Sequence, residues 1–339
     1  MEEQLKEIFK NKKILVTGGT GFIGSEIVRK LLQYKPDVVR ILSNDEDSMF
    51  RIIQELGGGD NKRYLIGDIR DKERLFLAME DIDIVYHVAA LKHVPLCEYN
   101  PFEAIKTNVI GTQNVIESAF KCNVEKLISI STDKAANPIN TMGATKLLAE
   151  KLVIDANYYK GIRNTTFSCV RFGNVLFSRG SVIPLFEEQL RQKKPITITD
   201  PEMTRFMMSI SNTIDLVFKA TLLAKGGEIF ILKMPVIKIG DLVEIIIDYY
   251  TQKYELKKET IKKIIIGPRP GEKKYEELLT ESEATKVFET QDMLIIPPQI
   301  EFPDMQYKSS DCFLNYMFKR ENVKEIVNNW FVQMCQGSI

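Results

Sequence analysis

K-I-L-V-T-G-G-T-G-F-I-G, residues 13–24, is the stretch from which the rest of the chain is read. A short apolar run, Lys13 to Thr17, ends abruptly in glycines. A segment with Ile23, Ile27, Val28, Leu31 and Leu32 at helical spacing follows it. Gly18, Gly21 and Gly24 have the spacing of a dinucleotide-binding turn: one glycine for the tight bend, one for close approach of a pyrophosphate, one for packing of helix on strand. The helix N-terminus then faces the phosphates with its free amide groups. Thr17, Thr20, Phe22 and Ile23 complete the expected contact set. A purely structural Gly-rich turn is the competing reading, and the strand before and helix after weigh against it.

Working outward, a second strand at 38–43 delivers Ser43-Asn44-Asp45, with Asp45 21 positions past Gly24 (45 − 24). A carboxylate about 20 residues beyond the turn is where an adenosine ribose hydroxyl is held, which favours NAD. The alternative for Asp45 is an N-cap of the next helix. A third strand, 63–66, leads into Gly67-Asp68-Ile69-Arg70-Asp71, and a fourth, 84–88, into Ala89-Ala90-Leu91-Lys92-His93. Small residues at Ala89 and Ala90 let backbone pass close to a flat ligand. Lys92 and His93 lie at a strand's carboxyl end, where open parallel sheets bind ligands, though both also suit a solvated loop. Residues 101–121 form an amphipathic helix with Asn108 on its buried side. Four strand-then-helix units in a row predict an α/β fold with a doubly wound parallel sheet.

The fifth strand opens S-I-S-T-D-K-A-A-N-P-I-N-T-M-G-A-T-K, residues 129–146. Apolar and small residues give way there to Thr132, Asp133 and Lys134, a carboxylic acid and an amine side by side at a strand mouth. Pro138 rules out a helix just before it, and Met142 to Lys146 then start a helical pattern through Tyr159. Lys146 sits one turn after Met142, on the same face.

This layout resembles the catalytic segment of the extended short-chain dehydrogenase/reductases, where a tyrosine stands four residues before a lysine and both face a nicotinamide. Here the tyrosine position is Met142, whose thioether takes no proton from a hydroxyl. The run T-D-K-A-A-N-P-I-N, 132–140, resembles the nucleotide-sugar 4,6-dehydratases that act on UDP-N-acetylglucosamine, one branch of which carries methionine at that position. The resemblance covers about residues 11–289. It implies that Asp68 and Ile69 lie beside the adenine and that Asn108 bonds backbone at the nicotinamide side. An arginine often occupies the position of Asn44 in that group, and its absence here weakens the case for NADP. Further along, F-G-N-V-L-F-S-R-G-S-V-I-P (172–184), a short hairpin at 195–205 ending in Arg205, and R-P-G-E-K (269–273) resemble the nucleotide-sugar cleft. On that resemblance Asn174, Arg179, Ser181, Arg205, Arg269 and Glu272 bind substrate. The expected division is a dinucleotide-binding unit at 1–172, to which 211–234 returns, and a smaller C-terminal α/β nucleotide-sugar unit at 173–210 and 235–339.

The implied reaction is an internal redox cycle on UDP-N-acetylglucosamine: oxidation at C4, loss of water across C5 and C6, return of hydride to C6, with a tightly bound NAD or NADP recycled, NAD favoured. Lys134 is the expected C5 base, its pKa lowered beside Lys146 and the cofactor cation; Asp133 protonates the leaving hydroxyl and Thr132 bonds the C4 oxygen. Lys146 bonds the nicotinamide ribose. Retention at C5 is the favoured outcome, with inversion and UDP-hexose 4-epimerisation as alternatives. A degenerate dinucleotide-binding sensor or scaffold is the non-enzyme alternative, and intact Asp133, Lys134 and Lys146 argue against it.

Composition excludes other classes. Lys plus Arg equal Asp plus Glu at 46 each, so no bulk field attracts nucleic acid or acidic membrane. The five cysteines have no C-x-x-C spacing and the only histidines are His87 and His93, which argues against a metal site and for reduced thiols in a cytoplasm. No apolar run reaches the roughly 20 residues of a membrane span, and residues 1–10 have no secretory core. The resemblance implies a homo-oligomer, a dimer or higher, paired through the helices at 102–121 and 143–159.

Overall fold

Short β-branched, apolar runs bounded by glycine and polar turns build the centre of the molecule. The structure, a computed structural model, describes residues 1–178 and 180–298. Arg179, Cys312, Cys335 and the 320–336 segment lie outside the described residues. The strands are β1 Lys13–Thr17, β2 Val38–Ser43, β3 Lys62–Ile66, β4 Ile84–His87, β5 Lys126–Thr132, β6 Thr166–Phe172 and β7 Asn174–Val175. Beyond them come β8 Ile196–Ile198, β9 Thr204–Met208, β10 Ile229–Leu232, β11 Val236–Lys238, β12 Lys263–Ile265, β13 Phe288–Glu289 and β14 Met293–Ile296.

Nine strands form the main sheet in the order β13-β14-β10-β6-β5-β4-β1-β2-β3. From β3 to β10 every pairing is parallel; β14 and β13 add on antiparallel. Chain order reverses between β1 and β4, and their carboxyl ends open the crevice in which such sheets bind ligands. The fold is the expected doubly wound α/β sheet. Strands β1 and β5 are buried along almost their whole length, as strands covered on both faces must be.

A second, smaller core joins Leu176, Ile183, Phe186, Leu190, Ile237, Leu242 and Ile246 beside two small sheets, β11-β9-β7 and β12-β8. Ile210–Leu223 and β10 pack on the main core. Two expectations are corrected. The 235–339 span does not stay with the second unit, because β13 and β14 at 288–296 extend the main sheet and bury Met293 to Ile296 against it. The hairpin at 195–205 does not form: β8 pairs parallel with β12, while β9 pairs with β11 and β7. The Asp200 turn, closed by Met203 N to Asp200 O at 3.2 Å, sends the two strands into different sheets. The helix at 101–121 is continuous but contains one π turn, Ile105–Ile110, between Pro101–Ala104 and Gly111–Lys121. Among the described residues no helix is long and apolar enough to cross a membrane.

Candidate active site

The glycine turn has the shape its sequence predicts. Gly18 has φ 65°, and a Cβ there would lie 2.8 Å from the backbone of Ala89; a Cβ on Gly24 would lie 2.2 Å from Gly18 O. Gly21 N donates to Gly18 O at 2.9 Å, and Gly21 caps Phe22–Gln33 without any side-chain acceptor. The helix amides at Phe22, Ile23 and Gly24 therefore face a concave backbone surface, which fits a pyrophosphate. Ala89 and Ala90 form its far wall. Thr17 holds that wall in place: its Oγ1 accepts from Val88 N and Ala89 N at 3.2 and 3.4 Å.

His87 lies behind this wall, 2% exposed, with Nδ1 2.8 Å from Thr17 Oγ1 and Nε2 3.0 Å from Thr112 Oγ1. Thr112 donates its own hydroxyl to Asn108 O at 2.7 Å, so the consistent tautomer carries the proton on Nε2 and accepts from Thr17 at Nδ1. Burial, reinforced by the Lys146 charge, pushes His87 down to about 3, and the ring is neutral. Asn108, fully buried at the π turn, bridges Leu91 N and O (2.8 and 3.0 Å) and Thr145 Oγ1 (3.0 Å). Its observed work is to brace the β4 loop against the helix Thr141–Tyr159.

At the adenosine end the predicted residues, far apart in sequence, are joined. Thr20 Oγ1 donates to Ser43 Oγ (2.7 Å), Asp45 N donates to Ser43 Oγ (3.2 Å), and Asn44 Nδ2 donates to Asp68 Oδ2 (3.1 Å). Hydrogen bonds from Arg70 hold the Asp68 carboxyl below its usual range. Ile69 is buried against Gly111. For Asp45 the structure displays the N-cap: its carboxylate accepts from Ser48 N at 3.0 Å and Ser48 Oγ at 2.6 Å.

Thr132, Asp133 and Lys134 lie at the mouth of β5. Asp133 is fully buried; its Oδ1 accepts from Thr132 Oγ1 (2.8 Å) and Lys134 Nζ (2.9 Å). Lys134 Nζ also donates to Asn174 Oδ1 at 3.2 Å and lies 3.7 Å from Glu276 Oε1. Asn174, expected on phosphate or sugar, thus faces the amine. One sequence expectation is reversed. Burial alone would lower the Lys134 pKa, but the Asp133 and Glu276 charges outweigh it and the net shift is upward. The amine is an ammonium in the resting protein. Lys146, 8% exposed, donates to Ile130 O of the same strand at 2.6 Å, and burial lowers its pKa. Met142, one turn earlier, fills a small apolar cluster with Cys97, Ala104 and Val94. Gly143 is forced by the approach of this helix: a Cβ there would stand 2.3 Å from Lys134 O.

Arg205, 5% exposed, reaches Glu272 Oε1 at 3.1 Å, and Glu272 Oε2 in turn accepts from Arg269 N at 3.2 Å. Arg269 itself is exposed. His93 packs on Gly180, and Lys92 is exposed beside it on the loop after β4. Ser181 begins Val182–Arg191 with its hydroxyl buried and unpaired among the described residues. The residue that sequence reading missed is Glu276, 9% exposed. Its signal was there: Tyr275 and Glu277 face out while Glu276 and Leu278 face in, a period-two alternation that turns a carboxylate inward.

Crevice, glycine turn and buried acid–amine pair lie together in an extended short-chain dehydrogenase/reductase fold, and its relatives put the chain in the class of nucleotide-sugar dehydratases and epimerases. The family model described as polysaccharide biosynthesis protein matches residues 14–298, and the chain belongs to that family. It is 42% identical to a UDP-N-acetylglucosamine 4,6-dehydratase (inverting) of Campylobacter jejuni over 94% of this chain and 92% of that protein. It is 41% identical to a UDP-glucose 4-epimerase of Rickettsia rickettsii over 86% and 84%. The X-ray structure of Pen from Bacillus thuringiensis, 48% identical, superposes with TM-score 0.88 over 96% of this chain and 98% of its own.

Proposed function

We propose that the protein is a UDP-N-acetylglucosamine 4,6-dehydratase using NAD. The observation that carries this reading is the buried Asp133–Lys134 pair at the β5 mouth, on the strand to which Lys146 is anchored. A 4-epimerase needs only oxidation and reduction at C4; it has no use for an acid and an amine next to the sugar's C5 and C6. The epimerase relative keeps that activity as the second reading.

When bound, the nicotinamide supplies the hydride acceptor and donor. Lys146 orients its ribose and, as a cation, favours negative charge leaving C4. Thr132 bonds the C4 oxygen, and Asp133 takes the C4 hydroxyl proton and passes it to the departing C6 hydroxyl. Asp133 Oδ2, buried and without a partner among the described residues, is the oxygen free for that transfer. Lys134 removes the C5 proton. Arg205, Arg269, Glu272, Asn174 and Ser181 orient the nucleotide sugar, with Lys92 and His93 at its rim. The sequence reading leans to retention at C5; the inverting name of the near full-length dehydratase relative supports the opposite outcome.

The test is an NMR time course with UDP-N-acetylglucosamine in deuterated water and no added reductant. A 4-keto-6-deoxy product, with C5 couplings reporting its configuration, is expected. Formation of UDP-N-acetylgalactosamine alone would replace the dehydratase with the epimerase.

A further inference from the structure

The dehydratase reading needs a neutral amine at C5, and the structure holds Lys134 as an ammonium. Glu276 resolves this conflict. It comes from the segment after R-P-G-E-K, which runs beside β9 through Thr204 N to Lys274 O at 3.0 Å. Its Oε1 lies 3.7 Å from Lys134 Nζ, and its Oε2 is buried with no partner among the described residues. An ionised carboxylate so placed is costly unless something uses it. The charged groups facing it are Lys134 and Asp133 from the β5 end, Arg205 from β9, and Lys273 from its own segment. Arg205 is committed to Glu272 and Lys273 to Ala136 O and Glu277. Among the described residues Lys134 is the one cation that forms an ion pair with it, at 3.7 Å.

We infer that Glu276 is a positioning residue for the proton on Lys134, taking one proton from the ammonium in the substrate complex so that a neutral amine faces C5. This inference rests on the dehydratase reading. In the step, an N–H bond of Lys134 breaks and an O–H bond forms on Glu276. The neutral amine then takes the C5 proton, and that C–H electron pair becomes the C5–C6 double bond as the C6–O bond breaks. The oxygen leaves as water with the proton from Asp133. The trio now holds one proton more than at the start, and releases it to C5 or to solvent before the next turnover. Burial raises the Glu276 carboxyl, as a proton acceptor here requires, against the lowering pull of Lys134.

The wild-type pair moves a proton internally and gains none from solvent, so kcat should be flat across neutral pH. In Glu276→Gln, Lys134 must lose its proton to water instead. The expected kcat is at least about 100-fold lower at pH 7 and rises about tenfold per pH unit above it, with KM changed less than threefold. Glu276→Asp keeps the acceptor at a longer reach; its expected profile is flat, with kcat about tenfold down. A wild-type kcat in either variant, or a Glu276→Gln profile that is lowered but flat, overturns the inference. If the wild-type protein leaves UDP-N-acetylglucosamine unchanged, the dehydratase reading fails and takes this inference with it; normal wild-type turnover beside an unaffected Glu276→Gln removes this inference alone.

Discussion

Lys134 sits between two carboxylates with 2.9 Å to Asp133 and 3.7 Å to Glu276, and this arrangement fixes its charge. If it is the C5 base, Lys134→Ala lowers kcat by about 10²–10⁴-fold with the protein still folded; near-normal turnover would remove it from that role. Met142, 4% exposed, packs in a cluster with Cys97, Ala104 and Val94, and a phenol is bulkier than the thioether that fills it. Met142→Tyr is expected to cost about 1–3 kcal/mol of stability, seen as a lower Tm, rather than to restore a faster enzyme. A faster variant with unchanged Tm would show that the methionine is a handicap. His87 gives a pH dependence with a definite sign. Its folded pKa, about 3, lies below the ordinary 6.5, so the unfolded chain binds more protons between those values. Stability from this group is complete above pH 6.5 and is lost as pH falls towards 3. From pH 6.5 to 5 the loss is about 2 kcal/mol at roughly 1.4 kcal/mol per unit. Urea unfolding should show that loss in the wild type and not in His87→Gln.

Among the elements, the helix Thr141–Tyr159 carries the most constraints. Lys146 ties it to β5, Gly143 lets it touch Lys134 O, and Glu150 pins it to β6. Arg171 on β6 is wholly buried and forks onto Glu150 (3.0 and 2.7 Å), Glu283 (3.0 and 2.9 Å) and Leu278 O (2.8 Å). Glu283 also closes a capping box with Thr280, so one guanidinium fastens the short turn Glu281–Ala284, a segment without recognisable chemistry, to the helix bearing Lys146. Arg171→Ala leaves two carboxylates buried without their cation and should destabilise by roughly 3–5 kcal/mol in denaturant unfolding. A change under about 1 kcal/mol would mean that water replaces the guanidinium.

At the scale of the molecule, Phe102, Ile105, Ile110, Leu148 and Tyr159 are exposed on the two helical segments expected to meet a second copy. Such a face, 63% exposed at Phe102 and 51% at Leu148, is what self-association would cover. Light scattering on a sizing column should therefore report a dimer or higher, and Phe102→Glu with Leu148→Glu should shift it to a monomer with the site intact. A wild-type monomer would remove the proposal. The glycine turn and the mouth of β5 belong to the nine-stranded sheet, whereas Asn174 on β7 and Arg205 on β9 belong to the small sheet β11-β9-β7.

What the sequence determined by itself was local. The strand-glycine-helix turn, the alternation of strands and helices, and the acid and amine side by side at a strand mouth are statements about neighbours in the chain, where a few torsions and the period of apolar residues decide the outcome. Motif spacing and the resemblance named Thr20, Ser43, Asn44 and Asp68 one by one, and the bonds Thr20–Ser43 and Asn44–Asp68 are the work of strands brought side by side. Tertiary structure alone decided the rest. Alternation at Ile196 and Ile198 says which side is buried and leaves the partner open, so β8 found β12 instead of β9. The charge on Lys134 was beyond local reading because it depends on how far burial is offset by Asp133 beside it and by Glu276, a residue from a distant loop brought into a dry site, where weak screening lets the two carboxylates together outweigh desolvation.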